Sequence, residues 1–142
     1  MWYSLAQKSK KDLISTCIVI RIKKDNIEVL LCKRGTNPNK HEWCIPGGHI
    51  EENEKPIDAA VRELKEETNL DLNKNNLFLI DEVENNNIKN YIFTIFESEY
   101  NKEKAGSDAE DVAWFEINKI PDLIWDNNIH IDKALQFLMQ KL

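Results

Sequence analysis

Gly47-Gly48-His49-Ile50-Glu51-Glu52-Asn53-Glu54, running on to Arg62-Glu63-Leu64-Lys65-Glu66-Glu67-Thr68-Asn69-Leu70, is the one stretch where glycines, a proline (Pro46) and a dense set of acids meet a clear helical period. On a wheel at about 100° per residue, Ile57, Ala60, Val61, Leu64 and Thr68 share one side, which predicts a buried stripe. Asp58, Arg62 and Lys65 read as the solvent side, and Glu63, Glu66 and Glu67 form a third arc between the two. Carboxylates at i, i+3 and i+4 repel one another unless something neutralises them. A bare Glu-x-x-Glu-Glu is usually a solvated acidic face, so the flanks must separate that reading from a divalent metal site. Pro46-Gly47-Gly48 lets the backbone turn sharply and approach something closely. Asn53 is the expected N-cap, Pro56 suits a first helical turn, and Asn69 suits a left-handed helix end.

Outward from this stretch, the N-terminal side predicts a hairpin. Leu13 to Ile22 is β-branched and nearly continuous, as expected of a central strand. Lys23-Lys24-Asp25-Asn26 is a turn, and Ile27 to Arg34 a second strand. Gly35 to Lys40 reads as a loop, with Lys33 and Arg34 just before it; a pair of ordinary surface charges is the plain alternative to a functional role. Trp43 is either core packing or the wall of a pocket. On the other side, Leu77 to Val83 and Ile88 to Glu97 predict a second hairpin across Glu84-Asn85-Asn86-Asn87. Glu99 to Glu110 is a polar loop, Val112 to Phe115 a short strand, and Asn118 to Ile124 a short helical turn around Pro121. Ile131 to Leu142 spaces Ala134, Leu135, Leu138, Met139 and Leu142 as the packed face of a C-terminal helix. Strands interrupted by two helices predict an α/β fold with a mixed sheet and helices on both faces.

The chain has 142 residues, 42% of them apolar and 31% charged, the composition of a globular protein expected to form one domain over 1–142. No apolar run reaches the length of a membrane span and the start lacks a secretory core, so a cytoplasmic location is expected. Cys17, Cys32 and Cys44 are an odd number without metal-ligand spacing, which reads as buried reduced thiols. A net charge of −6 argues against non-specific DNA binding. It leaves room for an anionic nucleotide, because bound cations invert a local field.

Gly48, Glu54, Arg62, Glu63, Leu64, Glu66, Glu67 and Leu70 stand at the spacing of the Nudix (MutT-like) hydrolase signature, and the chain resembles that family. Asn69 stands where the family has Gly; Asn is the next best residue for a left-handed cap. The resemblance implies a Nudix-type α/β/α sandwich around a central mixed sheet, and Mg²⁺-dependent hydrolysis of a diphosphate bridge, with Mn²⁺ as a substitute. It implies Glu66 and Glu67 as metal ligands and Glu63 as a ligand or the residue orienting the attacking water. Gly48 would offer its carbonyl or shape the loop, and Glu54 and Arg62 would pair to fix the loop on the helix. Lys33 or Arg34 would face substrate phosphate, with Trp43 and Glu110 as further substrate contacts. A general base would come from the helix or from the loop acids Glu103, Asp108 and Glu110.

Ala105-Gly106-Ser107-Asp108-Ala109, followed by Val112-Ala113-Trp114-Phe115 and Ile120-Pro121, resembles a segment of the ADP-ribose pyrophosphatase branch, with Ser107 in place of an acid. This favours ADP-ribose or a nucleoside diphosphate sugar. The alternatives are an (oxidised) nucleoside triphosphate, capped RNA or a dinucleoside polyphosphate, or a non-catalytic nucleotide-sensing domain. No residue marks a base pocket. The N-terminal arm with Trp2 and Tyr3 is the candidate surface for a homodimer.

Overall fold

The structure, a computed structural model, describes residues 11–23, 25–97 and 109–141. Seven strands form one sheet: β1 (Asp12–Lys23), β2 (Asn26–Arg34), β3 (Trp43–Cys44), β4 (Gly47–His49), β5 (Phe78–Glu84), β6 (Ile88–Glu97) and β7 (Ala109–Glu116). Among the described residues two α-helices accompany it, α1 (Pro56–Thr68) and α2 (Asn127–Lys141). The sheet is mixed. β1 pairs with β6 in parallel, while β1–β2, β1–β4, β2–β3, β2–β7 and β5–β6 are antiparallel. Both predicted hairpins are present.

Strand alternation sorts the core into two layers. Cys17 and Val19 of β1, Leu30 of β2 and Phe93 and Ile95 of β6 face α1, which adds Ala60 and Leu64. Ile18 and Ile20, Val29 and Leu31, and Ile92 face the other way onto Ile131, Ala134 and Leu138 of α2. A helix on each face is why β1 and β2 read as continuous apolar runs rather than alternating ones. This is the expected α/β/α sandwich.

Four local expectations are corrected. Asn53 is not the cap of α1. It takes a left-handed conformation (φ 64°) inside a separate turn, in which the Glu54 amide bonds the Glu51 carbonyl at 3.0 Å and the Glu51 amide bonds the Glu54 carboxylate. The cap position falls to Lys55 with Pro56 behind it. Residues 118–124 form a turn and an extended stretch, not a helical turn, because Leu123 bridges Trp43 in parallel. α2 begins at Asn127, four residues before the predicted start at Ile131. Met139, expected to be packed, is 67% exposed. The C-cap is as expected: Asn69 is left-handed (φ 65°) and its amide bonds the Lys65 carbonyl at 2.9 Å. The N-terminal arm with Trp2 and Tyr3, and the loop acids Glu103 and Asp108, lie outside the described residues, as does the side chain of Glu110.

Candidate active site

β1 and β2 pair near their turn, through Ile20–Lys23 and Asn26–Val29, and then diverge. The segment from Trp43 to His49 fills the fork. β3 bonds to β2 at Cys32 and Lys33, β4 bonds to β1 at Ile14–Thr16, and the Pro46 carbonyl accepts from the Cys17 amide at 3.0 Å. The two glycines therefore do not make the sharp turn expected of them. Both are extended strand residues, and their need is close approach. A Cβ on Gly47 would lie 2.6 Å from the Ser15 carbonyl oxygen, and one on Gly48 would lie 2.4 Å from the Glu63 carboxyl carbon. Helix α1 starts against the same fork, where the Ser15 hydroxyl donates to the Pro56 carbonyl at 2.6 Å.

Arg62 is the hub of the acidic arc. Its Nε and Nη2 grip the Glu54 carboxylate at 2.8 and 2.9 Å, Nη2 also donates to the His49 carbonyl, and Nη1 reaches Glu63 at 2.9 Å and Glu66 at 3.3 Å. Hydrogen bonding from Arg62 holds Glu54 below the usual carboxylate range, and the same bonds raise the Arg62 guanidinium. The arginine expected on the solvent side instead ties the turn after β4 to the helix. The Glu54–Arg62 pairing is as expected.

Glu67 stands apart from that hub, at the inner end of the arc. Its carboxylate enters the fork, where Oε1 accepts from the Gly47 amide at 3.1 Å and Oε2 from the Cys32 thiol at 3.3 Å. Burial pushes it up to about 8; the Cys32 and Gly47 hydrogen bonds oppose that, while Cys44 and Glu63 add to it. Cys32 and Cys44 face each other across β2 and β3 with sulfurs 3.8 Å apart, and all three cysteines are buried and free, as expected.

A cleft of about 300 Å³ opens here, lined by Cys32, Lys33, Arg34, Thr36, Gly47, Gly48, His49, Glu63 and Glu67. Five of the proposed site residues thus come together in its lining: Gly48, Glu63, Glu67, Lys33 and Arg34. Glu66 is outside the lining, half-exposed beside Arg62. Trp43 is not a pocket wall. It packs in the α2-side core with its ring edge on Phe115, centroids 4.9 Å apart. Cys32, Thr36 and His49 were not anticipated. Cys32 carried a usable signal, since it shares a strand face with Arg34 two residues on.

Among the described residues, no three His, Cys, Asp or Glu side chains already converge on one point. The donors nonetheless suit a hard divalent cation. The carboxylates of Glu63, Glu66 and Glu67 and the Gly48 carbonyl offer oxygen donors, and the buried Glu67 carboxylate accepts from a thiol and a backbone amide. Mg²⁺ takes few protein carboxylates and completes its shell with water and substrate phosphate, so a closed protein cage is not required.

A family model described as NUDIX domain matches residues 12–136. The ADP-ribose pyrophosphatase of Methanocaldococcus jannaschii is 34% identical over 109 residues, which cover 75% of this chain and 64% of that protein. The mRNA-decapping enzyme subunit 2 of Saccharomyces cerevisiae is 28% identical over 109 residues, 74% of this chain and 11% of that protein. The chain therefore spans less than two thirds of the length of either relative. Among solved structures, a MutT/nudix family protein from Enterococcus faecalis superposes with a TM-score of 0.84 at 21% identity, covering 98% of this chain and 68% of that one. The NUDIX domain of Shewanella oneidensis NrtR, solved in complex with ADP ribose, gives 0.78 at 20% identity over 91% and 89%. No helix among the described residues is long and apolar enough to cross a membrane.

Proposed function

The chain belongs to the NUDIX family, and on that premise we propose that residues 1–142 form one cytoplasmic, Mg²⁺-dependent pyrophosphohydrolase domain. Its substrate is a nucleoside diphosphate joined to a second moiety, with ADP-ribose or a nucleoside diphosphate sugar first among the candidates. The observation that carries this reading is the cleft itself. Two carboxylates, Glu63 and Glu67, and two cationic side chains, Lys33 and Arg34, line one cleft together with Gly47 and Gly48. A diphosphate needs both: acids to hold a divalent ion and bases to hold its own oxygens. The 34% identity to an ADP-ribose pyrophosphatase supports the choice of substrate.

In this reading Glu67, Glu66 and the Gly48 carbonyl would hold the ion. The bound ion would neutralise phosphoryl charge and acidify the nucleophilic water. Lys33 and Arg34 grip the phosphate oxygens and align the bridge. Glu63 orients the water and takes its proton, while Arg62 and Glu54 keep Glu63 and the turn in place. The water oxygen forms a bond to one phosphorus and the bridging P–O bond breaks. ADP-ribose would give AMP and ribose 5-phosphate.

Chromatography of products from a nucleotide panel, with and without Mg²⁺, tests this. AMP and ribose 5-phosphate from ADP-ribose are expected. Turnover confined to nucleoside triphosphates, giving a monophosphate and pyrophosphate, would replace this substrate class with the MutT type. Nucleotide binding without turnover at any Mg²⁺ concentration would make the chain a sensor.

A further inference from the structure

Cys32 and Cys44 bring to the cleft a chemistry that phosphate hydrolysis does not use. They stand directly opposite each other in the antiparallel pairing of β2 with β3. Opposed residues on such strands have Cα atoms about 4.5–5.5 Å apart, inside the span of about 4.4–6.8 Å that a disulfide bridges. The side chains meet: the sulfurs are 3.8 Å apart, and the Cys32 sulfur lies 3.6 Å from the Cys44 carbonyl oxygen. Closing to a bond of about 2.05 Å moves the sulfurs, with the backbone pairing already in place.

Cys32 joins this pair to the site. It lines the cleft, and its thiol donates to Glu67 Oε2 at 3.3 Å. Cys32 and Cys44 are only 2% and 3% exposed, so an oxidant that reaches them has to be small and enter by the cleft. Cys44 is held below its ordinary value, chiefly by its hydrogen bond with Cys32, and the same bond holds Cys32 above its own. Cys44 is therefore the better nucleophile of the two. Cys17, the third thiol, is buried in the α1-side core and pushed up to about 12, which leaves it inert.

We propose that Cys32 and Cys44 are an oxidative modification site for peroxide, closing to a disulfide that takes the thiol donor away from Glu67. The Cys44 sulfur attacks one peroxide oxygen and the O–O bond breaks. The departing hydroxide leaves with the thiol proton as water, and Cys44 becomes a sulfenic acid. The Cys32 sulfur then attacks the Cys44 sulfur, the S–O bond breaks, and a second water carries off the Cys32 proton. The two thiols lose two electrons together, and one peroxide is reduced to two waters. The Cys32 sulfur now has no hydrogen to donate and is drawn towards Cys44, while the Gly47 amide stays on Oε1. Loss of a partner that orients an ion ligand costs about 10–100-fold in metal affinity or activity, so the dithiol is the active form. This rests on the reading of Glu67 as an ion ligand and adds to that site a reversible control by oxidation.

The test exposes the full chain to near-stoichiometric hydrogen peroxide, then denatures, alkylates and digests it for mass spectrometry. Peptides joined through Cys32 and Cys44, with Cys17 alkylated, are the expected result. The melting temperature should rise, because the bridge restricts the unfolded chain. Mn²⁺ affinity, read by electron paramagnetic resonance, and diphosphate turnover should each fall by about tenfold. Dithiothreitol should restore all three, and C44A should keep its Mn²⁺ affinity and turnover before and after peroxide. Should C44A fail to fold, reversal by dithiothreitol in the wild type decides in its place. Cys32 and Cys44 recovered as free thiols, or as separate sulfinic acids, overturn the site. A complete disulfide with unchanged Mn²⁺ affinity overturns the control of Glu67. A reduced wild-type chain that binds no Mn²⁺ and turns over no diphosphate overturns the hydrolase reading and with it that control, while the joined peptides still decide the modification site.

Discussion

At the outer end of the glutamate arc, Glu54 lies across the Arg62 guanidinium in a two-point grip, with Glu63 and Glu66 sharing the remaining donor. At the inner end, Glu67 is buried in the fork with a thiol and a backbone amide for partners. Residues of one helix and one turn thus fall into two regimes. The outer carboxylate is easier to ionise than in water and strengthens the fold. The inner one is harder to ionise and weakens it. A carboxylate buried at such a cost is a candidate functional group, and the arginine network holds the rest of the arc apart from it.

Substitution at the inner site should have the largest effect. Glu67→Gln is expected to lower kcat by at least about a hundredfold at saturating Mg²⁺ while leaving the fold intact. Steady-state kinetics on the best substrate decide this, and a wild-type rate would remove Glu67 from the ion site. Because the ion competes with a proton whose affinity is set near pH 8, the Mg²⁺ requirement of the wild type should rise as pH falls below that value.

The same variant should be more stable than wild type in EDTA, and this second effect has a defined sign. The Glu67 carboxyl keeps its proton up to about 8 when folded, whereas in the unfolded chain it releases it near the ordinary glutamate value. Between those limits the unfolded state binds fewer protons, so wild-type stability falls as pH rises through the window. Glu67→Gln removes that penalty, a gain of about 3 kcal/mol at pH 7 that vanishes below about pH 4.5. Thermal melts across pH measure it, and a gain independent of pH would point to packing instead of charge. The smallest effect belongs to the outer regime. Glu54→Gln should cost about 1–2 kcal/mol in stability, with a milder loss of turnover than at Glu67. A turnover loss as large as that of Glu67→Gln would erase the distinction between the two ends.

The parts of this site legible in the sequence are those written into one helix and its caps. The period of α1, the arc of Glu63, Glu66 and Glu67 and the Asn69 cap follow from local spacing, and the Glu54–Arg62 pairing from the family resemblance. So do the hairpins, whose turns are short. What escaped depends on approach between distant segments. Gly47 and Gly48 read as a turn because glycine's freedom is a local property, whereas their need for space comes from Ser15 and Glu63. Asn53 reads as a cap until the turn from Glu51 to Glu54 claims it. Trp43 reads locally as either core or pocket wall, since its burial depends on the strand and loop it meets. The early start of α2 reflects Asn127 bonding Ile45, a contact across most of the chain.

The parallel pairing of β1 with β6 has a consequence for how the molecule assembles. Thr16 lies opposite Ile92, and everything that builds the cleft after β2, from the fork segment through α1, is threaded between those two partners. Closing so long a loop has to precede the reward of its contacts, which slows folding. A growing chain that has emitted Gly48, Glu63 and Glu67 but not yet β6 lacks the neighbour that completes the far side of β1. The acidic cleft and the centre of the sheet should therefore become protected from hydrogen exchange together, late, and as a single cooperative unit.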